Sequence, residues 1–280
     1  MRDQTGARVS HIEFEPQSIA RAFVAARQKA QALANFPGCP PATLAQAYAV
    51  QDAAVPMFGG EVAGWKVGRI NSPWFERLAS TRLSGPIFAE KVKSARDGHG
   101  GQGYVFENGF GAAEAEYIFR IGSAPEGEQT HFTREDAAAL VDAVFCGIEI
   151  ASSPFCGINA MGPLVTIADF GNNNGLLVGA EIADWRTSGF EEWDVSVVIE
   201  GGKAGTGRAS AFPGGPLESV RFLLENLIAR GLPVTPGLLV SSGAVSGVHE
   251  VIAGQKVAAR FGDYFSIDCT IGTAAAREPR

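Results

Sequence analysis

The chain is poor in cysteine. Cys39, Cys146, Cys156 and Cys269 are scattered, with no Cys-x-x-Cys spacing. That excludes a disulfide framework and a zinc ribbon. Cys146 and Cys269 sit in apolar, strand-like runs, where cysteine behaves as a small hydrophobe. All four are expected to be reduced thiols in a cytoplasmic protein. Clustered basic residues are also missing. The net charge is −7, and Lys91-Val92-Lys93 is the densest basic segment. A nucleic-acid or anionic-membrane surface is therefore not expected. No apolar run reaches the length of a membrane span. Met1 to Pro16 lacks a signal-type apolar stretch and is expected to be a loose tail. His11, His99, His131 and His249 stand far apart, with no metal-ligand spacing. Ser241-Ser242-Gly243 lacks the Gly-x-Ser-x-Gly frame of a serine hydrolase.

What is present suits a globular protein with a real core. The 280 residues are 46% hydrophobic and include 35 glycines. Such a chain can form one large, turn-rich domain. Residues 1–60 read as a tail and helical region packed on a core of residues 61–280. Ser18 can cap a helix from Ile19 to Leu33, and a second covers about Thr43 to Val55. Residues 97–111 read as a glycine-rich loop. Thr133 to Asp136 resembles a capping box opening a helix to about Val144. Trp193 to Glu200 reads as a strand turning at Gly201-Gly202. Pro216 opens a helix whose apolar face is Val220, Leu223, Leu224, Leu227 and Ile228, and Gly231 ends it. Leu238–Ser242, Lys256–Phe261 and Tyr264–Ile271 read as strands, with a hairpin at Gly262-Asp263. The fold class is α+β, helices first and then a mainly antiparallel sheet or roll.

Glu114-Ala115-Glu116 lies within an apolar run, and Glu149 lies in a second one. Strand side chains alternate, so Glu114 and Glu116 face the same way. On a solvated face the pattern means little. In a buried sheet, like charges need neutralising, and no cationic residue lies near them in sequence. Three carboxylates with open positions suit a hard cation such as Mg²⁺ or Mn²⁺.

Other motifs are less direct. Gly98 to Gly103 matches Gly-x-Gly-x-x-Gly, but no strand precedes it and no helix follows, so it reads as a flexible loop. Lys66, flanked by Trp65 and Val67 with glycines at 64 and 68, either snorkels to solvent or sits in a pocket; its residue context alone favours snorkelling. Asp169 opens an amide-rich loop through Asn172, Asn173 and Asn174, which is either a turn or a polar ligand site.

In this order, from about Pro41 to Gly272, these segments resemble the 2-keto-4-pentenoate hydratase family of the wider fumarylacetoacetate hydrolase superfamily. The matching motifs are Gly64-Trp65-Lys66-Val67-Gly68, Glu114-Ala115-Glu116, Gly147-Ile148-Glu149-Ile150, Ala168-Asp169 and Ser242-Gly243-Ala244. The resemblance implies a mixed β-roll or sandwich with an N-terminal helical region, assembled as a homo-oligomer. It implies one Mg²⁺ or Mn²⁺ held by Glu114, Glu116 and Glu149. Lys66 and Asp169 would be catalytic, with Ser242, Gly243 and Asn173 contacting a small 2-oxo acid. The implied reaction is hydration of a 2-hydroxy-2,4-dienoate to a 4-hydroxy-2-oxo acid in aromatic meta-cleavage catabolism. A 2-oxo-3-enedioate decarboxylase, an acylpyruvate hydrolase and a non-catalytic oligomeric binding protein are the alternatives. The chain departs from the family in three places. Ile150-Ala151-Ser152-Ser153 follows Glu149 where Asp-Ser-Arg is common, Phe170-Gly171 follows Asp169, and Gly215-Pro216-Leu217 replaces His-Pro-Leu. Short apolar strands such as Leu238-Leu239-Val240 also suggest edges covered by assembly.

Overall fold

The computed structural model describes residues 13–95 and 100–277. The first twelve residues of the expected tail, His11 among them, lie outside the described residues, as do Gly98 and His99 of the glycine motif. Two helices come first, α1 (Pro16–Lys29) and α2 (Leu44–Phe58). Then follow β1 (Val62–Arg69), α3 (Trp74–Leu78), β2 (Arg82–Phe88), β3 (Val92–Ser94), β4 (Gly101–Val105), β5 (Phe110–Ile121), α4 (Arg134–Leu140) and β6 (Val141–Ser153). Next come α5 (Pro163–Ala168), β7 (Asn173–Glu181), β8 (Val195–Ile199), β9 (Gly202–Gly207) and α6 (Leu217–Ala229). The chain closes with β10 (Leu239–Ser241), β11 (His249–Glu250), β12 (Lys256–Phe261) and β13 (Phe265–Thr273).

The strands form two sheets. An eight-stranded mixed sheet runs β2-β1-β10-β5-β6-β7-β3, with β11 also paired to β5, and a five-stranded sheet runs β4-β13-β12-β8-β9. Strand alternation divides β5 between two layers. Ala113, Ala115, Tyr117, Phe119 and Ile121 enter a core shared with Val257, Phe261 and Ile267 of the second sheet. Glu114 and Glu116 therefore lie on the opposite face. That face also carries Ala112 of β5 and Ala151 of β6, which pack with Ile19, Phe23, Val50 and Ala54 of the two N-terminal helices. The helices thus roof the sheet face that carries the carboxylates.

Several local expectations change. Helix α1 begins at Pro16 rather than after Ser18, because proline's missing N–H costs nothing in a first turn. It ends at Lys29, with Ala30 left-handed at φ 50°, rather than at Leu33. Thr133 and Asp136 form the full capping box, but α4 stops at Leu140 and Val141 starts a strand. Burial of a β-branched run against the second sheet overrides helix continuation. Gly101–Val105 is a strand, not part of a flexible loop, and pairs in parallel with β13. At Gly103 a Cβ would lie 2.6 Å from Ile150, so close packing explains glycine there. Strand β10 lies between β1 and β5, so Leu238–Val240 leaves no open edge and gives no ground for assembly. No helix among the described residues is long and apolar enough to cross a membrane.

Candidate metal centre and active site

The antiparallel register of β5 and β6 sets Glu114 directly opposite Glu149 and Glu116 opposite Gly147. All three glutamates are buried, and ligand oxygens from each come within 4.8 Å of one another. The triad expected from sequence is therefore assembled in space. Ser241 Oγ donates to Glu116 Oε2 at 2.6 Å, and the Gly243 N–H donates to the same oxygen at 2.9 Å. Asn173 Nδ2 donates to Glu149 Oε1 at 2.9 Å. Glu116 Oε1 and Glu149 Oε2 are buried without a hydrogen-bond partner.

Lys66 completes the cluster. Strand β1 sets Lys66 beside Ser241 of β10 and Gly85 of β2. Its Nζ lies 3.1 Å from Glu149 Oε2, an ion contact without hydrogen-bond alignment, and donates weakly to Asn172 Oδ1 at 3.4 Å. Lys66 is 5% exposed, which overturns the snorkelling expectation. Burial alone would lower its pKa, but Glu149, Glu114 and Glu116 together hold it above the ordinary lysine value. The three carboxylates favour its ammonium form, which donates and carries charge. Burial pushes Glu114 up to about 7, assisted by Glu149 and opposed by Lys66. Burial and the two neighbouring carboxylates push Glu116 well above the usual glutamate range.

Three carboxylates face one ammonium, Glu116 Oε1 has no partner, and all the donor atoms are hard oxygens. This set fits a divalent cation, which would offset the surplus charge and give that oxygen a partner.

A tight turn closes the site. Phe170, Gly171 and Asn172 have φ values of 55°, 62° and 57°. Left-handed backbone is costly for a phenylalanine. A Cβ on Gly171 would meet Lys66 Cδ at 2.9 Å, and one on Gly85 would strike the Phe170 carbonyl at 2.1 Å. Glycine at these positions lets the turn press against Lys66. Phe170 is held by edge contacts with Phe58 and Phe88, and the Arg27 guanidinium lies 5.1 Å from its ring.

The remaining expected residues lie in different surroundings. Asp169 is fully buried and bound to Arg27 of α1, Nε to Oδ1 at 2.5 Å and Nη2 to Oδ2 at 3.0 Å. Ser153 Oγ also donates to Asp169 Oδ2, at 2.6 Å. Ser242 is buried, with its Oγ unpartnered. A cavity of about 500 Å³ is lined by Lys66, Glu114 and Asn172, with Arg69, Trp74 and Val248 among its walls. Asp169, Asn173, Ser242 and Gly243 are not among its lining residues. Gly243 and Asn173 support the carboxylates instead.

Sequence reasoning missed Arg27 and Ser241, while Asn172 lay in the amide-rich loop read as either a turn or a polar ligand site. The signal for Arg27 was its spacing. Ala20, Phe23, Val24 and Arg27 follow the i, i+3, i+4, i+7 pattern of a buried face. For Ser241, the strand alternation of Leu239–Ser241 was the available cue.

Neither a protein-family model nor a curated protein matches the chain. Solved structures do. A 4-oxalocrotonate decarboxylase from Pseudomonas putida G7, complexed with magnesium and adipate, aligns at TM-score 0.76 and 20% identity over 91% of this chain and 97% of that one. The same enzyme with calcium and acetate gives TM-score 0.75 at 20% identity, over 91% and 96% of the two chains. A fumarylpyruvate hydrolase from Pseudomonas aeruginosa, in complex with Mn²⁺ and pyruvate, gives 0.56 at 13% identity over 75% and 88%. The chain therefore has the α+β fold of fumarylacetoacetate-hydrolase-like proteins, with curled sheets and N-terminal helices.

Proposed function

We propose that this protein is a divalent-metal-dependent lyase acting on a short unsaturated 2-oxo acid. The observation carrying this reading is the buried set of Glu114, Glu116 and Glu149 with the Lys66 ammonium 3.1 Å from Glu149. When bound there, Mg²⁺ or Mn²⁺ supplies a Lewis acid that stabilises negative charge on a substrate oxygen. Lys66 lines the cavity and offsets charge developing at the substrate's C2 oxygen. Asn172 and the glycine turn fix the Lys66 side chain, and Asn173 and Ser241 orient the carboxylates. Trp74 and Val248 supply apolar wall for an unsaturated chain.

The first outcome proposed is hydration of a 2-hydroxy-2,4-dienoate to a 4-hydroxy-2-oxo acid. Decarboxylation of a 2-oxo-3-enedioate is the second, favoured by the likeness to 4-oxalocrotonate decarboxylase across nearly the whole chain. Both outcomes need the same charge stabilised at C2. Acylpyruvate hydrolysis is less well supported, because no histidine lines the cavity among the described residues and His249 is engaged with Ser246 Oγ at 3.1 Å.

The test supplies purified protein and Mn²⁺ with 2-hydroxypenta-2,4-dienoate and with 2-oxohex-3-enedioate, and reads products by mass spectrometry. A gain of water supports hydration, and a loss of CO₂ supports decarboxylation. No change in any 2-oxo acid, with the metal bound, would refute the enzyme reading and leave a binding role.

A further inference from the structure

A glycine inside a strand gives up packing and costs chain entropy, so its presence there needs a reason. Three glycines near Lys66 have one in the fold. A Cβ on Gly64 would strike the Leu239 carbonyl of the neighbouring strand, one on Gly85 would strike the Phe170 carbonyl, and Gly171 is left-handed. Gly68 of β1 has none of these. Its backbone is not left-handed, and a Cβ there would meet only the tip of Leu83, Cδ1 at 3.3 Å, and the stem of Lys66, Cε at 3.7 Å. Gly68 lines the cavity of about 500 Å³, on the same strand face as Lys66. Register sets Leu83 of β2 opposite it. Two residues further along comes Ile70, which with Leu83 and Trp74 belongs to one apolar cluster that reaches the cavity wall. Of the polar groups in that wall, Ser72 Oγ donates to Glu76 Oε1 at 2.8 Å and Thr166 Oγ1 to the Gly162 carbonyl at 3.3 Å. Asn71 and Asn159 bring amides without charge. Arg69, the other cation among the lining residues, alternates to the opposite face of β1 and lies over the Phe212 ring at 5.5 Å.

We infer that Gly68 is a specificity-determining position: the carbon chain of the 2-oxo acid runs from Lys66 across it toward Ile70, Leu83 and Trp74, and the substrate ends there in a hydrocarbon group rather than a second carboxylate. The inference rests on the proposed 2-oxo acid chemistry, narrows its substrate class and favours the first of its two outcomes. The missing side chain leaves a strip of backbone that a flat, unsaturated chain can approach closely. A hydrocarbon end that leaves water against Leu83 and Trp74 gains about fourfold in affinity for each methylene buried. A terminal carboxylate in the same place loses hydration and meets no matched cation. Any side chain in place of Gly68 fills the passage between the Lys66 stem and Leu83.

The test is calorimetric titration of the Mn²⁺-loaded protein with 2-oxobutanoate, 2-oxohexanoate and 2-oxohexanedioate. The first two differ by two methylenes, and the last two only in the terminal group. 2-Oxohexanoate should bind about tenfold tighter than 2-oxobutanoate, the order of two methylenes leaving water. It should also bind several-fold tighter than 2-oxohexanedioate. The ratio of 2-oxohexanoate to 2-oxobutanoate affinity should fall several-fold in Gly68→Val and by less in Gly68→Ala. The alanine variant should fold, since its Cβ meets only the movable tip of Leu83; circular dichroism and Mn²⁺ titration check both variants. Equal affinities for 2-oxobutanoate and 2-oxohexanoate, or a preference for 2-oxohexanedioate, would overturn the inference. So would a ratio unchanged in both variants, which would leave Gly68 as room for Leu83 alone. If either result comes with turnover of a 2-oxo acid, the lyase reading stands without the inference. If 2-oxohexanoate is preferred as expected while no 2-oxo acid is transformed, the apolar subsite stands and the lyase reading fails. No binding of any of the three acids, with Mn²⁺ bound, would overturn both.

Discussion

Two buried ionic clusters flank the same turn, and they differ in balance. Arg27 and Asp169 are one cation and one anion. Arg27 also donates to the carbonyls of Asn173 at 2.9 Å, Ser152 at 3.1 Å and Asp169 at 3.2 Å. Both Asp169 oxygens accept hydrogen bonds. A few residues away, three glutamates share one lysine and two of their oxygens have no hydrogen-bond partner. A matched, saturated pair holds structure together. A mismatched, unsaturated set is costly alone and is relieved by a ligand. Position strengthens the contrast: Glu114 and Lys66 line the cavity, whereas Asp169 does not. The first cluster therefore acts as a brace for the second, through the Asn173 backbone that Arg27 holds and the Asn173 side chain that holds Glu149.

Breaking the matched cluster should have the largest effect. Arg27→Met leaves Asp169 buried without its cation and should cost about 3–5 kcal/mol of stability. The double variant Arg27→Met with Asp169→Asn should recover part of that loss. Denaturant melts of the two variants check this, and equal stability of the double and single variants would contradict the pairing.

Breaking the mismatched cluster should act on ligand binding instead. Glu116→Gln should weaken Mn²⁺ binding by about 10²-fold or more, since a charged ligand is lost where removing even a group that only orients a ligand costs about 10–100-fold. The metal-free protein should not lose stability, because a neutral amide replaces a carboxyl that burial and the neighbouring carboxylates already disfavour as an anion. Metal titration alongside thermal melts reads both. A variant that binds Mn²⁺ normally but melts early would turn the comparison around.

Lys66→Met should lower turnover by roughly 10²-fold, the lower end for losing a group that acts on the reacting atoms. Mn²⁺ affinity should hold or rise, because the competing cation has gone. Near wild-type turnover would remove Lys66 from the chemistry.

The smallest effect sharpens the comparison through pH. Burial pushes Glu114 up to about 7, and burial with the two neighbouring carboxylates raises Glu116 well above the usual glutamate range. Folded-state values above the unfolded ones favour the metal-free fold at low pH, and that contribution is lost as pH rises from about 4.5 through about 7. Metal must displace these protons, so its affinity should weaken as pH falls below 7, by up to about tenfold per unit for each proton displaced. Melting without metal should therefore favour pH 5.5 over pH 8, and Mn²⁺ should raise the melting temperature more at pH 8. An Mn²⁺ effect independent of pH would argue against buried, proton-competing carboxylates.

The sequence by itself determined the alternation that puts Glu114 and Glu116 on one face, and the apolar runs that bury them with Glu149. It also determined the Thr133 capping box, the α6 face and the Gly262-Asp263 hairpin, because strand period, caps and turns are local properties of the chain. Register, crossovers and long-range contacts were decided only by the tertiary structure. Lys66 reads as a surface lysine until β1 pairs with β10 and carries it to Glu149. Asp169 reads as a ligand residue until α1, more than a hundred positions earlier, delivers Arg27. Gly101–Val105 reads as loop until β13 offers it a parallel partner. In each case a charge or a backbone group is satisfied by a partner far away in sequence, and burial made that partner obligatory only once the sheets and helices had come together.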